Sequence, residues 1–326
     1  MTKSFRIAIV SDIHYAAAEE RARCDNHEYH RQIQNPATRV CARLFHQFVW
    51  LREPGSHNHL LDQCLNAVGQ PDLVVANGDY SCNFRGLGLS DPAAFASAEE
   101  CLGRLRARFD GKFYPILGDH ELGKAGLFTG RGAMSMASWH AAVDRLHIEP
   151  FWQVRLGKYV LLGVTSSLIA LPIFQADSLA GETAEWENLR ASHLRRICEA
   201  FASLKPDERV WFFCHDPTAL PFLAQQPAIR EKLSQVEQTV IGHLHSNLVL
   251  WGSGILSGLP TLTFLGKGAR RISAALGEAQ HWKPFHVRLC PAFTGVQMLK
   301  DGGYLTVELD SDARRPARVE FHRLKW

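Results

Sequence analysis

The chain has little net charge and no closely paired cysteines. Its 326 residues carry a formal charge of only +3, which is too weak to predict a nucleic-acid partner. Its eight cysteines are scattered without a CxxC pair, and most lie in apolar contexts. The expected state is therefore reduced thiols in a protein core rather than a disulfide framework.

The sequence also shows no signal-peptide pattern and no long uninterrupted apolar run. Residues 1–12 lead directly into a strand-like segment with no cleavage site after it. The most apolar later stretch, residues 159–176, is interrupted by Ser166, Ser167 and Pro172, so it predicts a buried strand and a loop. We therefore expect a cytoplasmic protein without a transmembrane segment.

Short apolar runs recur along the chain, and five of them end in polar residues. Continuous apolar runs of this length are typical of strands buried on both faces of a helix-covered sheet. These runs are residues 6–14, 72–79, 112–120, 209–216 and 238–245.

Helical patterns separate these runs. Residues 90–109 and 182–204 each predict one helix, and residues 40–68 predict two. No repeat or low-complexity linker is present. We therefore expect one α/β domain with mixed sheets over residues 1–326, with an insert at about 16–58 and a strand-rich part from about 248.

Each of the five runs ends in side chains that commonly bind metals. If their backbones are extended, Asp12 and His14 project to the same side, and His243 and His245 repeat this spacing. Glycine precedes several of these residues and would let the backbone approach an ion closely. The candidate ligands are Asp12, His14, Asp79, Asp119, His215, His243 and His245.

The candidate ligands predict both the kind of metal and the number of ions. Carboxylates together with imidazoles favour manganese, iron, cobalt, nickel or zinc over calcium or magnesium. Seven ligands exceed the needs of one tetrahedral centre, which predicts two ions. Any one motif alone is also a common turn or strand end; the recurrence at five strand ends is what favours a metal site.

The series D-x-H, G-D, G-N-H-[D/E], H and G-H-x-H resembles the calcineurin-like metallophosphoesterase superfamily. The resemblance implies a four-layer αββα sandwich (α/β, or α+β) of two mixed β-sheets flanked by helices, with a dinuclear metal centre. It also implies one ion held by Asp12, His14 and His245, a bridging Asp79, and a second ion held by residue 119, His215 and His243. His120 would contact the phosphate and help the leaving oxygen depart.

The chemistry implied by this resemblance is phosphoester hydrolysis by a phosphodiesterase or phosphomonoesterase. Two neighbouring ions lower the pKa of a shared water and neutralise the phosphoryl oxygens. His120 is the candidate general acid. The alternative is a metallophosphoesterase-like scaffold with impaired catalysis that binds a protein partner.

Two residues depart from the family pattern. Asp119 stands where the family has asparagine, so it adds a negative charge. That charge would tighten metal binding and repel an anionic substrate; it would also favour a trivalent ion such as Fe(III), unless Asp119 binds protonated. Cys82 stands where many members have an aspartate that orients the catalytic histidine, and the neighbouring Glu121 would point away from His120 on a strand.

The polar segment 18–39 is the expected substrate-contacting part of the insert, with a solvated loop as the alternative. A small-molecule phosphoester or nucleotide-like substrate is the expected partner. Its second phosphate or acidic group would meet basic side chains of this segment. The candidates are Arg21, Arg23, His27 and Arg31.

Overall fold

The computed structural model describes most of the chain. The described residues are 3–22, 33–48, 54–123, 134–174, 178–179, 181–244, 277–295 and 302–325. His245, Arg23, His27 and Arg31 lie outside these ranges, as do the strands expected between residues 248 and 266.

Within the described residues, ten strands form two five-stranded mixed sheets. The first has the order β10-β9-β1-β2-β3, and β1, β2 and β3 run parallel while β9 is antiparallel to both its neighbours. The second has the order β4-β5-β6-β7-β8, with β5 to β8 parallel and β4 antiparallel. The strands are β1 Ser4–Val10, β2 Leu73–Ala76, β3 Phe113–Pro115, β4 Phe151–Leu156, β5 Tyr159–Val164, β6 Arg209–Cys214, β7 Val236–Ile241, β8 Val287–Leu289, β9 Gly303–Asp310 and β10 Arg318–Arg323.

Successive side chains of a strand point to opposite faces of its sheet, so each sheet packs against the other sheet on one face and against helices on the other. Ile7 and Ile9 of β1 belong to a buried cluster with Trp211 and Phe213 of β6, so this core lies between the two sheets. Ala8, the intervening residue, packs in the cluster that the helices contribute to. Each large apolar side chain buried in this way stabilises the fold by about 1.5–3 kcal/mol. The predicted four-layer αββα architecture is confirmed.

The helices cover the outer faces of the sheets. The longest, Thr183–Ala202, is amphipathic, and the ring of its Phe201 lies 6.0 Å from that of Phe212 in β6. The α-helices are Ala18–Ala22, Pro36–Phe48, Asn58–Ala67, Pro92–Arg108, Asp119–Leu122, Met136–His140, Ser166–Ile169, Leu171–Phe174, Thr183–Ala202, Leu220–Ala224 and Pro227–Arg230.

The predicted long elements are confirmed, while two short segments differ from expectation. Residues after β5 form the helices Ser166–Ile169 and Leu171–Phe174 rather than a loop. Asp119–Leu122 is a helical turn rather than a continuation of β3. The prediction of one domain with an insert at about 16–58 stays a prediction.

The helices and the cysteines of the described residues can be compared with the predictions of no transmembrane segment and of reduced thiols. None of the helices there combines the length and the apolar character needed to cross a bilayer. All seven cysteines in those ranges are free thiols, and most of them are buried; Cys24 lies outside the described residues.

Candidate metal centre

The polar residues gather at one edge of the sandwich because parallel strands end there together. Loops at the carboxyl ends of adjacent parallel strands meet in a crevice, which is where α/β folds place their sites. The first sheet brings the residues after β1, β2 and β3, and the second brings those after β6 and β7. The residues brought to this edge are Asp12 and His14 after β1, Asp79 after β2, Asp119 and His120 after β3, His215 after β6 and His243 after β7.

Four of these side chains form a compact group that could hold one metal ion. His215 Nε2 lies 3.1 Å from Asp79 Oδ2 and 3.2 Å from Asp119 Oδ1. His243 Nδ1 lies 2.9 Å from the same oxygen of Asp119. One potential ligand atom from each of the four lies within 4.8 Å of the others.

A second group, formed by His14, Asp79 and His120, shares Asp79 with the first. His14 Nε2 lies 3.9 Å from Asp79 Oδ2 and 4.0 Å from Asp12 Oδ1. His120 Nε2 lies 3.9 Å from Asp79 Oδ2 as well. Asp79 is therefore the carboxylate that connects the two groups.

The backbone at four of the candidate ligands is left-handed, which the sequence did not predict. The φ angles of Asp12, His14, Asp79 and His243 are 51°, 48°, 58° and 63°. Such conformations cost non-glycine residues roughly 1–3 kcal/mol each. The expected extended geometry of Asp12 and His14 is therefore wrong. Strained backbone persists only where surrounding contacts hold it in place, and such residues cluster at functional sites.

Hydrogen bonds between neighbouring loops hold these turns. Asp12 N donates to Gly78 O at 3.1 Å, and His14 N donates to Asp79 O at 3.0 Å. His243 N donates to the Asp12 carboxylate at 3.0 Å. The loops after β1, β2 and β7 therefore fix one another.

At two positions before candidate ligands, neighbouring atoms leave no room for any side chain, so glycine is required. A Cβ at Gly242 would lie 2.5 Å from Asp12 Oδ2 and 2.9 Å from His215 Nδ1. A Cβ at Gly78 would lie 2.7 Å from His215 Nδ1, and Gly78 also has a φ of 92°. This agrees with the prediction that glycine lets the backbone approach the site closely.

Glu121 organises the loops that carry Asp79 and Asp119. Its Oε2 accepts hydrogen bonds from Asp79 N at 3.0 Å and Gly118 N at 2.9 Å, and its Oε1 accepts one from Tyr80 N at 2.8 Å. This role was not predicted from the sequence, because Glu121 was expected on a strand. An acidic residue three positions after a helix N-cap was the available signal.

Replacing Glu121 with glutamine should lower the free energy of unfolding by about 2–4 kcal/mol. The amide offers one acceptor oxygen, so its NH2 group would face a backbone N–H that the carboxylate satisfied. Burial and then Asp79 raise the pKa of Glu121 to about 7, so charged hydrogen bonds would be lost as well when unfolding is measured above that pH. Urea unfolding of the metal-free protein measures the change. Glu185→Gln is the control, because Glu185 is 56% exposed. An equal, small effect of both substitutions would refute the organising role.

His120 has a backbone partner in place of the missing aspartate. Its Nδ1 donates to Ser81 O at 3.2 Å. Cys82, the residue at the family's aspartate position, instead donates its thiol to His14 O at 2.8 Å. A main-chain carbonyl can be supplied by any residue, so the sequence could not reveal it.

Proton binding in this site competes with metal binding. Although burial opposes its charged form, Asp79 and Asp119 hold the pKa of His215 well above the ordinary range. His215 Nδ1 donates to Asn77 O at 2.5 Å, which directs Nε2 toward the carboxylates. A cation bound to Nε2 must displace a proton from it, so metal affinity should fall in acid.

The donor set fits two cations. Asp12, Asp79 and Asp119 are only 1%, 0% and 4% exposed, and buried carboxylates are costly without positive countercharge. Carboxylates and imidazoles together suit divalent ions of the manganese-to-zinc series. Among the predicted substrate contacts, Arg21 is exposed on the helix Ala18–Ala22.

The fold and this cluster agree with what sequence comparison finds. The model of the calcineurin-like phosphoesterase family matches residues 5–247, and the chain belongs to that family. None of the curated proteins compared with the chain matches it.

Comparison with solved structures finds the phosphopantetheinyl hydrolase PptH from Mycobacterium tuberculosis. It is 13% identical, with 73% of this chain and 82% of that chain covered and a TM-score of 0.32. Similarity at this level adds nothing to the family assignment.

Proposed function

We propose that the protein is a hydrolase of phosphoester bonds, a phosphodiesterase or phosphomonoesterase, that works with two bound metal ions. The main observation in support of this proposal is that Asp79 belongs to both groups of potential ligands, so that one carboxylate could contact two ions. Membership of the calcineurin-like phosphoesterase family supports the same chemistry. The small-molecule or nucleotide-like substrate and the cytoplasmic location stay predictions from the sequence.

Each ligand predicted from the sequence has a proposed place. Asp12, His14 and His245 would hold one cation, and Asp79 would contact both. The other cation would be held by Asp119, His215 and His243. When bound, the cations supply an activated water and neutralise charge on the phosphoryl group.

His120 is the proposed proton donor to the leaving oxygen. The hydrogen bond from its Nδ1 to Ser81 O fixes the ring and leaves Nε2 beside Asp79. Although desolvation opposes protonation, the carboxylates of Asp79 and Asp119 raise the pKa of His120 in the metal-free protein. The proton would be held on Nε2, the nitrogen nearer to the potential ligand groups.

Asp119 sets the charge of the proposed centre. Its Oδ1 lies close to both His215 and His243, so an aspartate places a full negative charge between two imidazoles. Three ligand carboxylates against two divalent cations leave one net positive charge at the centre. This arrangement favours tight binding of a divalent ion of the manganese-to-zinc series, or a trivalent iron in the Asp119 position.

Replacing Asp119 with asparagine should increase kcat/KM for anionic phosphodiesters by about tenfold and weaken metal binding. The reason is that the centre becomes more positive, and a difference of 1.4 kcal/mol in the barrier corresponds to a factor of ten. Both proteins would be stripped of metal, reloaded with manganese and assayed on bis-aryl and mono-aryl phosphates across pH. Asp144→Asn, an exposed substitution, is the control.

The outcomes of this assay separate enzyme from scaffold. Activity of either protein that depends on manganese supports the proposed hydrolase. If the protein with Asp119 is as fast as the asparagine variant, or faster, the aspartate belongs to the mechanism of this enzyme. Absence of turnover from both, with two ions bound, would favour the scaffold that binds a protein partner.

A further inference from the structure

We propose that Asp216 is a positioning residue that orients His243 and increases the affinity of the cation position formed by Asp119, His215 and His243. This inference rests on the proposed function. Asp216 follows the candidate ligand His215 directly, at the end of β6. Neither the sequence motifs nor the family pattern quoted above includes it.

The imidazole of His243 lies between two carboxylates. Its Nδ1 is 2.9 Å from Asp119 Oδ1, and its Nε2 is 3.8 Å from Asp216 Oδ2. An imidazole that binds a cation through Nδ1 carries its hydrogen on Nε2. The Asp216 carboxylate lies on the side of that N–H, beyond hydrogen-bond length. A closer approach when a cation binds would give the arrangement that fixes the tautomer and the ring orientation of metal-binding histidines.

The capping contact of Asp216 does not require a charged group. Asp216 Oδ1 accepts a hydrogen bond from Thr218 N at 2.9 Å and caps the 3₁₀ turn Pro217–Ala219. Serine, threonine or asparagine would cap the turn as well. Asp216 is 0% exposed, and a cation bound through His243 would lie near its negative charge.

The Asp216 carboxylate lies on the side of the His243 ring opposite Asp119. The pair of carboxylates makes this ring a stronger donor, so we infer that the Asp119 position binds its cation more tightly than it would without Asp216.

The experiment separates charge from capping with two substitutions. Asp216→Asn keeps the capping acceptor but removes the charge, whereas Asp216→Ala removes both. Binding of manganese and zinc to the metal-free proteins would be measured by competition with a chromophoric chelator, together with their melting temperatures. Asp144→Asn is the matched control, because Asp144 contacts an exposed histidine, His140, at 2.9 Å.

The expected result is a 10- to 100-fold loss of affinity for one of two cations in Asp216→Asn, with an unchanged melting temperature of the metal-free form. Equal metal affinity of Asp216→Asn and the unmodified protein would overturn the proposal and leave Asp216 as a cap only. If Asp216→Asn does not fold, Asp216→Ser takes its place, since serine also caps. Failure of the unmodified protein to bind two cations would overturn both the inference and the proposed function; failure of the inference alone leaves two cations bound.

Discussion

Replacing Asp79 with asparagine is expected to lower kcat/KM for phosphoester hydrolysis by about 10³-fold or more. Asp79 is the carboxylate shared by the two groups of potential ligands. Loss of its charge weakens both cation positions at once, and bound cations stabilise the transition state by several kcal/mol. Each 1.36 kcal/mol lost from that stabilisation slows the reaction tenfold.

Asparagine is the substitution that isolates this charge. Asp79 has a φ of 58°, and asparagine, like aspartate and histidine, adopts left-handed backbone more readily than other non-glycine residues. The side-chain oxygen of asparagine can still accept the hydrogen bond from His120 N, which is 3.0 Å long in the structure. The fold should therefore survive while metal-dependent activity is lost.

The measurement is kcat/KM at one fixed manganese concentration, chosen to saturate the unmodified protein, with circular dichroism to verify the fold. Asp144→Asn serves as control because it removes an equivalent charge from an exposed side chain. Retention of more than a tenth of the activity by a folded Asp79→Asn protein would contradict the shared-ligand role.

Replacing His120 with asparagine is expected to slow hydrolysis of alkyl phosphoesters by about 10²–10⁴-fold, the usual contribution of a general acid. An alkoxide needs a proton in order to leave, whereas a nitrophenolate leaves readily without one. The loss on nitrophenyl esters should therefore be less than about tenfold. The ratio of the two losses measures proton donation rather than binding.

The control for this prediction is His140→Asn. His140 is 56% exposed and forms its contacts with exposed carboxylates, so its loss should leave both substrates unaffected. Metal content of each variant would be determined alongside the rates. An equal loss on alkyl and nitrophenyl esters would show that His120 contributes something other than the proton.

Much of the fold could be predicted because the apolar runs are continuous. The runs 72–79 and 209–216 contain β2 and β6, which are buried on both faces, and such burial leaves an uninterrupted apolar signature. The long helices show their amphipathic spacing over many turns. Ligand residue types directly after these strands predicted where the cluster would form, since the carboxyl ends of parallel strands converge.

The details of the site were less predictable because they depend on tertiary contacts. The left-handed turns at Asp12 and His14 are held by the loop after β2, far away in sequence. Ser81 supplies only a carbonyl to His120, and every residue has one. Glu121 was misplaced because one helical turn after β3 is too short to produce a periodic pattern.

The central claim is that two cations share Asp79, and counting them tests it most directly. The metal-free protein would be titrated with manganese and followed by atomic absorption after gel filtration and by electron paramagnetic resonance. We expect two ions per chain with magnetic coupling between them, because a single carboxylate would contact both. One ion per chain, or two ions without coupling, would contradict it.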